Sequence, residues 1–270
     1  MSDTKIDIAV VSDHPGIARW HAMAPPGRVA GVAGLRPIVP FRHDVLPPPA
    51  GPGVAELSLY VAPQWRRRGI GSRLLDAVRR RAAEGRAAER RVVVDVVAGS
   101  PGEAFSLRHG FRYARSRRHD LLTYHDVHQA WLSELVDAER PGYRLTHWTG
   151  AVLDSPGVRD LLRSPSRLGG AVLIAADAEG DLAAYAAAVA GAPWQPRARQ
   201  YGPVVLPGHH GRHLDRWVSA ALIQRLREVH PHVQEIETTT ADDDADLLAV
   251  RAGLGFHLLR RTRLYELTQP

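Results

Sequence analysis

No cysteine occurs in the 270 residues. Disulfides, thiolate nucleophiles and cysteine metal sites are therefore excluded together. Lysine is almost missing too: of 35 lysines and arginines, only Lys5 is a lysine. With so much alanine, glycine, valine and proline, that bias marks a GC-rich coding sequence of actinobacterial type. No run approaches the ~18 uninterrupted apolar residues of a membrane span. The segment Met1 to Asp7 has neither a basic n-region nor an apolar h-region, so it does not read as a signal peptide. A soluble, cytoplasmic protein with no membrane partner is expected. The net charge of +6 raises the question of nucleic acid. Binders of that kind gather charge into a patch with aromatic or helical readers. Here the arginines are scattered, apart from residues 66–68, 79–81 and the run 115–118, so nucleic acid is not an expected partner.

A chain of this length makes one large domain or two of roughly 100–150 residues. Its most informative stretch is Leu57-Ser58-Leu59-Tyr60-Val61-Ala62-Pro63-Gln64-Trp65-Arg66-Arg67-Arg68-Gly69-Ile70-Gly71-Ser72-Arg73-Leu74-Leu75. An alternating apolar strand runs into a proline stop, a basic glycine-containing turn follows, and then an amphipathic helix. That order gathers backbone N–H groups and a helix N-terminus around one hollow suited to phosphate. The Gly-Lys-Ser/Thr ending of a phosphate-binding P-loop and the third glycine of a dinucleotide fingerprint are both missing.

The chain reads as two similar halves. In the first, strands are expected at 6–11, 28–35, 54–61, 91–97 and 112–124. Helices are expected at 69–84, stopped by Gly85, and at 102–109, with a short helix or turn at 14–23 and a stiff Pro/Gly loop at 45–53. Residues 126–140 form a connecting helix closed by Pro141-Gly142. The second half repeats the order, with strands at 143–148, 171–176, 182–190, 200–206 and 232–238, helices at 158–163, 213–229 and 245–254, and a final strand after Gly255-Phe256. Val61-Ala62-Pro63 recurs as Val205-Leu206-Pro207, and His109-Gly110-Phe111 as Leu254-Gly255-Phe256. The expected domains are 1–125 and 142–270, joined by a helical linker at 126–141. Strands alternating with helices give an α/β sheet flanked by helices.

The spacing Arg66-x-x-Gly69-x-Gly71, after a strand ending in Val-x-Pro, resembles the acetyl-CoA loop of the GNAT acetyltransferase superfamily. The whole chain resembles the tandem GNAT arrangement of the mycothiol synthase type. That resemblance implies two tandem domains, each with a mixed, mostly antiparallel sheet. The sheet is splayed after its fourth strand so that pantetheine inserts there. It implies acetyl-CoA as co-substrate, bound by Val61, Arg66, Arg67, Arg68, Gly69, Ile70, Gly71 and Ser72, and a small-molecule amine as acceptor. In the family, backbone groups near Val61 and Ala62 polarise the acetyl carbonyl. The plainer reading is a turn with a solvated arginine run beside a core strand.

For acid–base chemistry, Glu56 matches a place where some of these enzymes carry a glutamate acting through water. On an alternating strand it shares a face with Ser58 and Tyr60, a face that is either the acceptor side or solvent. Asp95 is the runner-up base. Many of these enzymes carry a tyrosine four residues before the Gly-Phe glycine, to protonate the leaving thiolate. Here that residue is Ser106, a far weaker acid, and Gly99 stands where asparagine is frequent. A thiolate of pKa ~8.5 leaves tolerably without help.

The second loop, Gly208-His209-His210-Gly211-Arg212-His213-Leu214-Asp215, puts His213 and Asp215 at the two glycine positions. A carboxylate there repels a diphosphate, so this half is expected to be a degenerate copy. The three histidines have no clear metal spacing, and no metal is expected. Asp242-Asp243-Asp244 reads as helix capping. Between first and second strands each half has room for one short helix where the family has two. The acceptor pocket is then more open, or its wall comes from the other half or from a second subunit in a homodimer. The alternative functions are a coenzyme A-binding sensor or scaffold, or other acyl-thioester chemistry.

Overall fold

The computed structural model describes residues 6–14, 17–37, 54–84, 91–151 and 157–268. The loop at 45–53 and the Gly85 stop lie outside these. Through the first half run β1 (Asp7–His14), β2 (Ile17–Ala24), β3 (Arg28–Pro37), β4 (Val54–Val61), a 3-10 turn (Pro63–Trp65), α1 (Ile70–Glu84), β5 (Arg91–Val96), α2 (Pro101–Arg108) and β6 (Arg112–Thr123). The second half continues with α3 (Gln129–Asp137), β7 (Arg144–Gly150), α4 (Val158–Arg163), β8 (Ala171–Ala178), β9 (Asp181–Ala190), β10 (Arg197–Val205), α5 (Leu214–Val229), β11 (Glu235–Ala241), α6 (Ala245–Gly253) and β12 (His257–Thr268).

These elements form two compact units, divided at Arg115/Ser116 and at Thr262/Arg263. In the first unit β1 to β4 pair antiparallel in sequence order, β4 pairs parallel with β5, and the Arg263–Thr268 half of β12 pairs antiparallel with β5. The second unit repeats the plan: β7 to β10 pair antiparallel in order, β10 pairs parallel with β11, and β6 pairs antiparallel with β11. Each sheet is thus mixed and mostly antiparallel, as expected. Each unit is completed by a strand from the other half of the sequence, which is why the boundary falls inside β6 and β12 and not at 126–141.

Within the expected helix or turn at 14–23, residues 17–23 are part of the strand β2. The pattern Ala18, Trp20, Ala22, Ala24 has period two, and Trp20, Ala22 and Ala24 are buried against the first unit's core. Pairing with β1 and β3 on both sides outweighs alanine's helix preference.

α1 buries Ile70, Leu74, Leu75, Ala77 and Val78 against the sheet, the i, i+4 and i+8 stripe of an amphipathic helix. Truncating Leu74 to alanine in such a site costs about 2–5 kcal/mol. In the second unit α5 is buried on most of its surface, through Leu214, Trp217, Val218, Leu222, Ile223 and Leu226. Alanines at 183, 184, 186 and 188 on β9 belong to the same core, and their small side chains let a helix approach closely. The connecting helix α3 joins it through Leu132 and accepts the indole N–H of Trp217 at the Val136 carbonyl, 3.0 Å away. Asp244 caps α6, its side chain accepting from the Leu247 N–H at 3.1 Å, as its position before a helix implies. No helix among the described residues is long and apolar enough to cross a membrane.

Candidate active site

β4 and β5 pair only over Val54–Arg91, Ala55–Val92 and Glu56–Val93. Beyond Glu56, β4 runs on to Val61 with its other edge paired to β3, and β5 runs on with its other edge paired to β12. The two strands therefore part, and Glu56 sits at the fork. The Ala62 N–H turns away from this opening and donates to the Ala30 carbonyl at 2.9 Å. Backbone groups alternate sides along a strand, so those of Leu59 and Val61 face the opening. Val61, not Ala62, is the residue with main-chain polarity available there. Its carbonyl accepts the Arg66 Nε–H at 3.0 Å, which brings the arginine back over the strand end.

The turn between β4 and α1 is made by left-handed residues. Arg67 has φ of 62° and Gly69 has φ of 74°. A Cβ at Gly69 would meet nothing within 4 Å, so the glycine leaves open space at the loop's lip. Arg68 lies over the Trp65 ring, 5.0 Å from its centroid, in cation–π range. The first helical hydrogen bond runs from Arg73 N–H to the Gly69 carbonyl at 3.1 Å. The N–H groups of Ile70, Gly71 and Ser72 precede it and have no partner within the helix. These donors, the helix dipole and three arginines fit an anionic diphosphate.

A Cβ at Gly71 would lie 3.1 Å from Phe105 Cε2 and 3.5 Å from Cζ. The glycine's lack of a side chain lets α1 pack on α2. The Ile70 side chain is in the core, 1% exposed, so only its backbone serves the loop. Ser72 lies with its hydroxyl 3.1 Å from His109 Nε2.

The acid–base candidates separate. Glu56 is half-buried at the fork, and Ser58 and Tyr60 on its face are exposed. Asp95 stands on β5 opposite Leu264 of β12. Ser106 is 2% exposed, and its hydroxyl donates to the Gly102 carbonyl at 2.8 Å inside α2. That is a helix back-bond, which engages the hydroxyl proton within α2.

The second loop repeats the backbone of the first with other side chains. Gly211 and His213 take the left-handed conformations of Arg67 and Gly69, with φ of 75° and 56°. β10 and β11 pair only from Arg197–Glu235 to Gln200–Thr238, so this sheet also forks. Asp215, however, turns its carboxylate onto the N–H of Arg216 at 2.7 Å, occupying a donor that a phosphate would use. His209 is held by the Tyr143 hydroxyl at 3.0 Å. Among the described residues no group of three or more histidines, aspartates or glutamates is placed to hold a metal.

Two polar networks escaped the sequence reading. In the first unit Ser100 caps α2, accepting from the Glu103 N–H at 3.2 Å, while Glu103 accepts from Gly99 N–H at 2.6 Å, Tyr265 at 2.6 Å and Arg263 at 2.9 Å. Those hydrogen bonds, with Tyr265 the largest contributor, hold the Glu103 carboxyl down at about 2. The Ser-x-x-Glu spacing of this cap was a readable signal. In the second unit His119 lies between Glu237 at 3.0 Å and Thr262 at 3.0 Å, and Arg260 reaches Glu237 at 2.6 Å. The His119 bond and the Arg260 guanidinium outweigh burial and bring Glu237 to about 2. These three elements meet only through sheet pairing, and no local spacing announces them.

The profile of the family described as Acetyltransferase (GNAT) family matches residues 3–111, the segment that carries β1 to β5, the loop and α2. The chain has the GNAT fold, as similar solved structures show. One is a tandem GNAT protein from the clavulanic acid biosynthesis pathway, 24% identical, covering 95% of this chain and 85% of that one, with a TM-score of 0.64. A glucosamine N-acetyltransferase region of a fungal multi-domain β-N-acetylglucosaminidase is 12% identical, with a TM-score of 0.64. It covers 99% of this chain, which spans only 38% of that protein. A GCN5-related N-acetyltransferase from Sphaerobacter thermophilus is 18% identical over 93% of this chain and 81% of its own, with a TM-score of 0.54. A search of curated proteins found no match. The profile match thus marks a GNAT acetyltransferase segment at residues 3–111, and the structural likeness defines the class by its fold: a GNAT fold in a tandem arrangement.

Proposed function

We infer that this chain transfers an acetyl group from acetyl-CoA to the amine of a small molecule, and that the site lies in the first unit. The contrast between the two loops carries the reading. The first keeps Gly69 open and leaves the N–H groups of Ile70, Gly71 and Ser72 available, whereas the second sets His213 and the Asp215 carboxylate in the equivalent places. The second half, a duplicated and degenerate copy, supports the fold. In the first unit, Arg66 to Ser72 hold the diphosphate and the Val61 main chain faces the thioester arm in the fork. Glu56, at the base of the fork, takes a proton from the acceptor ammonium through a water. The freed amine forms the C–N bond, the C–S bond breaks, and the thiolate leaves without a protein acid. Glucosamine N-acetylation and clavulanic acid biosynthesis in the structural neighbours support an amino-sugar or biosynthetic amine as acceptor.

Thiol release from acetyl-CoA with a panel of amino sugars, aminoglycosides and amino-acid-derived amines tests this. Amine-dependent release that falls sharply in Glu56→Gln is expected. Release that ignores every amine, or survives unchanged in Glu56→Gln, contradicts the proposed acceptor class or base.

A further inference from the structure

His109 closes α2 and stands 3.1 Å from the Ser72 hydroxyl, in the first turn of α1. Three other contacts fix its position. Its ring tilts onto Phe105 with centroids 4.4 Å apart. Phe105 is in turn the residue that Gly71 packs against. The His109 carbonyl accepts the Arg79 guanidinium at 2.7 Å. The last turn of α2 and the first turn of α1 are thus pinned together at the coenzyme loop. We propose that His109 is a positioning residue for coenzyme A: its Nε2–H donates to the Ser72 oxygen, turning the serine proton toward a diphosphate oxygen. This rests on the assignment of the coenzyme to the first loop.

The chemistry of the pair supports it. A serine hydroxyl carries one proton and two lone pairs, and a neutral imidazole carries one N–H and one acceptor nitrogen. If Nε2 accepts, the only serine proton is consumed. If Nε2 donates, that proton is free for an anionic oxygen, and an anion at the loop selects this tautomer. Burial holds the imidazole below its ordinary value, and the nearby Arg79 and Arg108 reinforce this against Asp76. The ring therefore stays neutral near pH 7 and has a tautomer to choose. Nothing in the residue spacing reveals the pair, because Ser72 and His109 meet only when α2 packs on α1.

The test is a double-mutant cycle on the full chain, with coenzyme A and pantetheine as probes, read by calorimetry. Ser72→Ala and His109→Leu should each weaken coenzyme A by about tenfold, the loss of one hydrogen bond to a charged group. The double variant should lose no more than either single one. His109→Gln keeps a donor in reach and should stay within about threefold of the parent. Pantetheine lacks the diphosphate, so its affinity should not move in any variant. Thermal midpoints run alongside, and His109→Gln carries the test if His109→Leu unfolds. Additive losses, equal losses for pantetheine, or parental coenzyme affinity in both single variants overturn the proposal while leaving the loop assignment standing. A parent chain that does not bind coenzyme A overturns the loop assignment itself.

Discussion

Replacing Gly71 by aspartate copies into the first loop the residue that the second loop carries at Asp215. Two costs arise and can be separated. The first is steric: the new Cβ meets Phe105 at 3.1 Å, and overpacking of this kind costs about 1–3 kcal/mol of stability. Gly71→Ala pays that cost alone and should keep coenzyme affinity within about threefold, because the Cβ points at α2 and away from the loop's lip. The second cost is electrostatic. In α5 the Asp215 carboxylate takes the N–H of the following residue at 2.7 Å, and an aspartate at 71 would take the Ser72 N–H in the same way. Losing one charge-assisted bond removes about 1.5–3 kcal/mol. Two like charges about 5 Å apart at an effective dielectric near 20 add about 3 kcal/mol of repulsion. The sum, about 4–6 kcal/mol, is a loss of roughly 10³–10⁴ in affinity. Calorimetry with coenzyme A on both variants, with thermal melts for stability, reads the two costs apart. Equal affinity loss in Gly71→Ala and Gly71→Asp, or normal binding in Gly71→Asp, would refute the reasoning.

Ser106→Ala should change turnover by less than about threefold, well below the 10²–10⁴ typical of an acid–base group, since its hydroxyl already serves Gly102. The Glu56→Gln defect should shrink as pH rises and the amine loses its own proton, which a pH–rate profile of parent and variant checks. The Glu103 carboxyl lies at about 2 when folded and near the ordinary carboxylate value when unfolded. Its stabilisation is present in full above the unfolded value and lost as pH falls through the folded one. Tyr265→Phe should therefore be less stable than the parent at pH 7, with the gap closing as pH falls through the unfolded carboxylate value towards the folded one, as thermal melts followed by circular dichroism across pH would show. Residues 1–141 and 142–270 expressed apart should each fail to give a cooperative melt, because each unit lacks its closing strand, and should regain one when co-expressed.

Much of this architecture was legible from local pattern. The Val-Ala-Pro stop, the glycine spacing and the stripe Leu74, Leu75, Val78 fix a strand, a turn and a helix, and the same order recurs after Val205. β2 was misread because Ala18, Ala22 and Ala24 suit a helix by propensity, and only the burial of Trp20 between two neighbouring strands settles them as a strand. The exchange of β6 and β12 could not be read at all. Strand pairing is non-local, and Arg263 to Thr268 carry nothing that says whether they will lie beside β5 or β11. The site shows the same division. Arg66, Gly69 and Glu56 announce themselves by position along one segment. The contact of Gly71 with Phe105 and that of Ser72 with His109 are both made only by packing. The Ser100–Glu103 cap was within reach of the sequence, because its spacing is local.

The account stands most directly on how many coenzyme molecules one chain holds, and where. Titration of the full chain with coenzyme A should give a single site per chain. Gly71→Asp should abolish that site, and Asp215→Gly should leave it unaltered. Two equivalent sites in the parent chain, or binding that survives Gly71→Asp and disappears when the His209–Asp215 loop is changed, would contradict it.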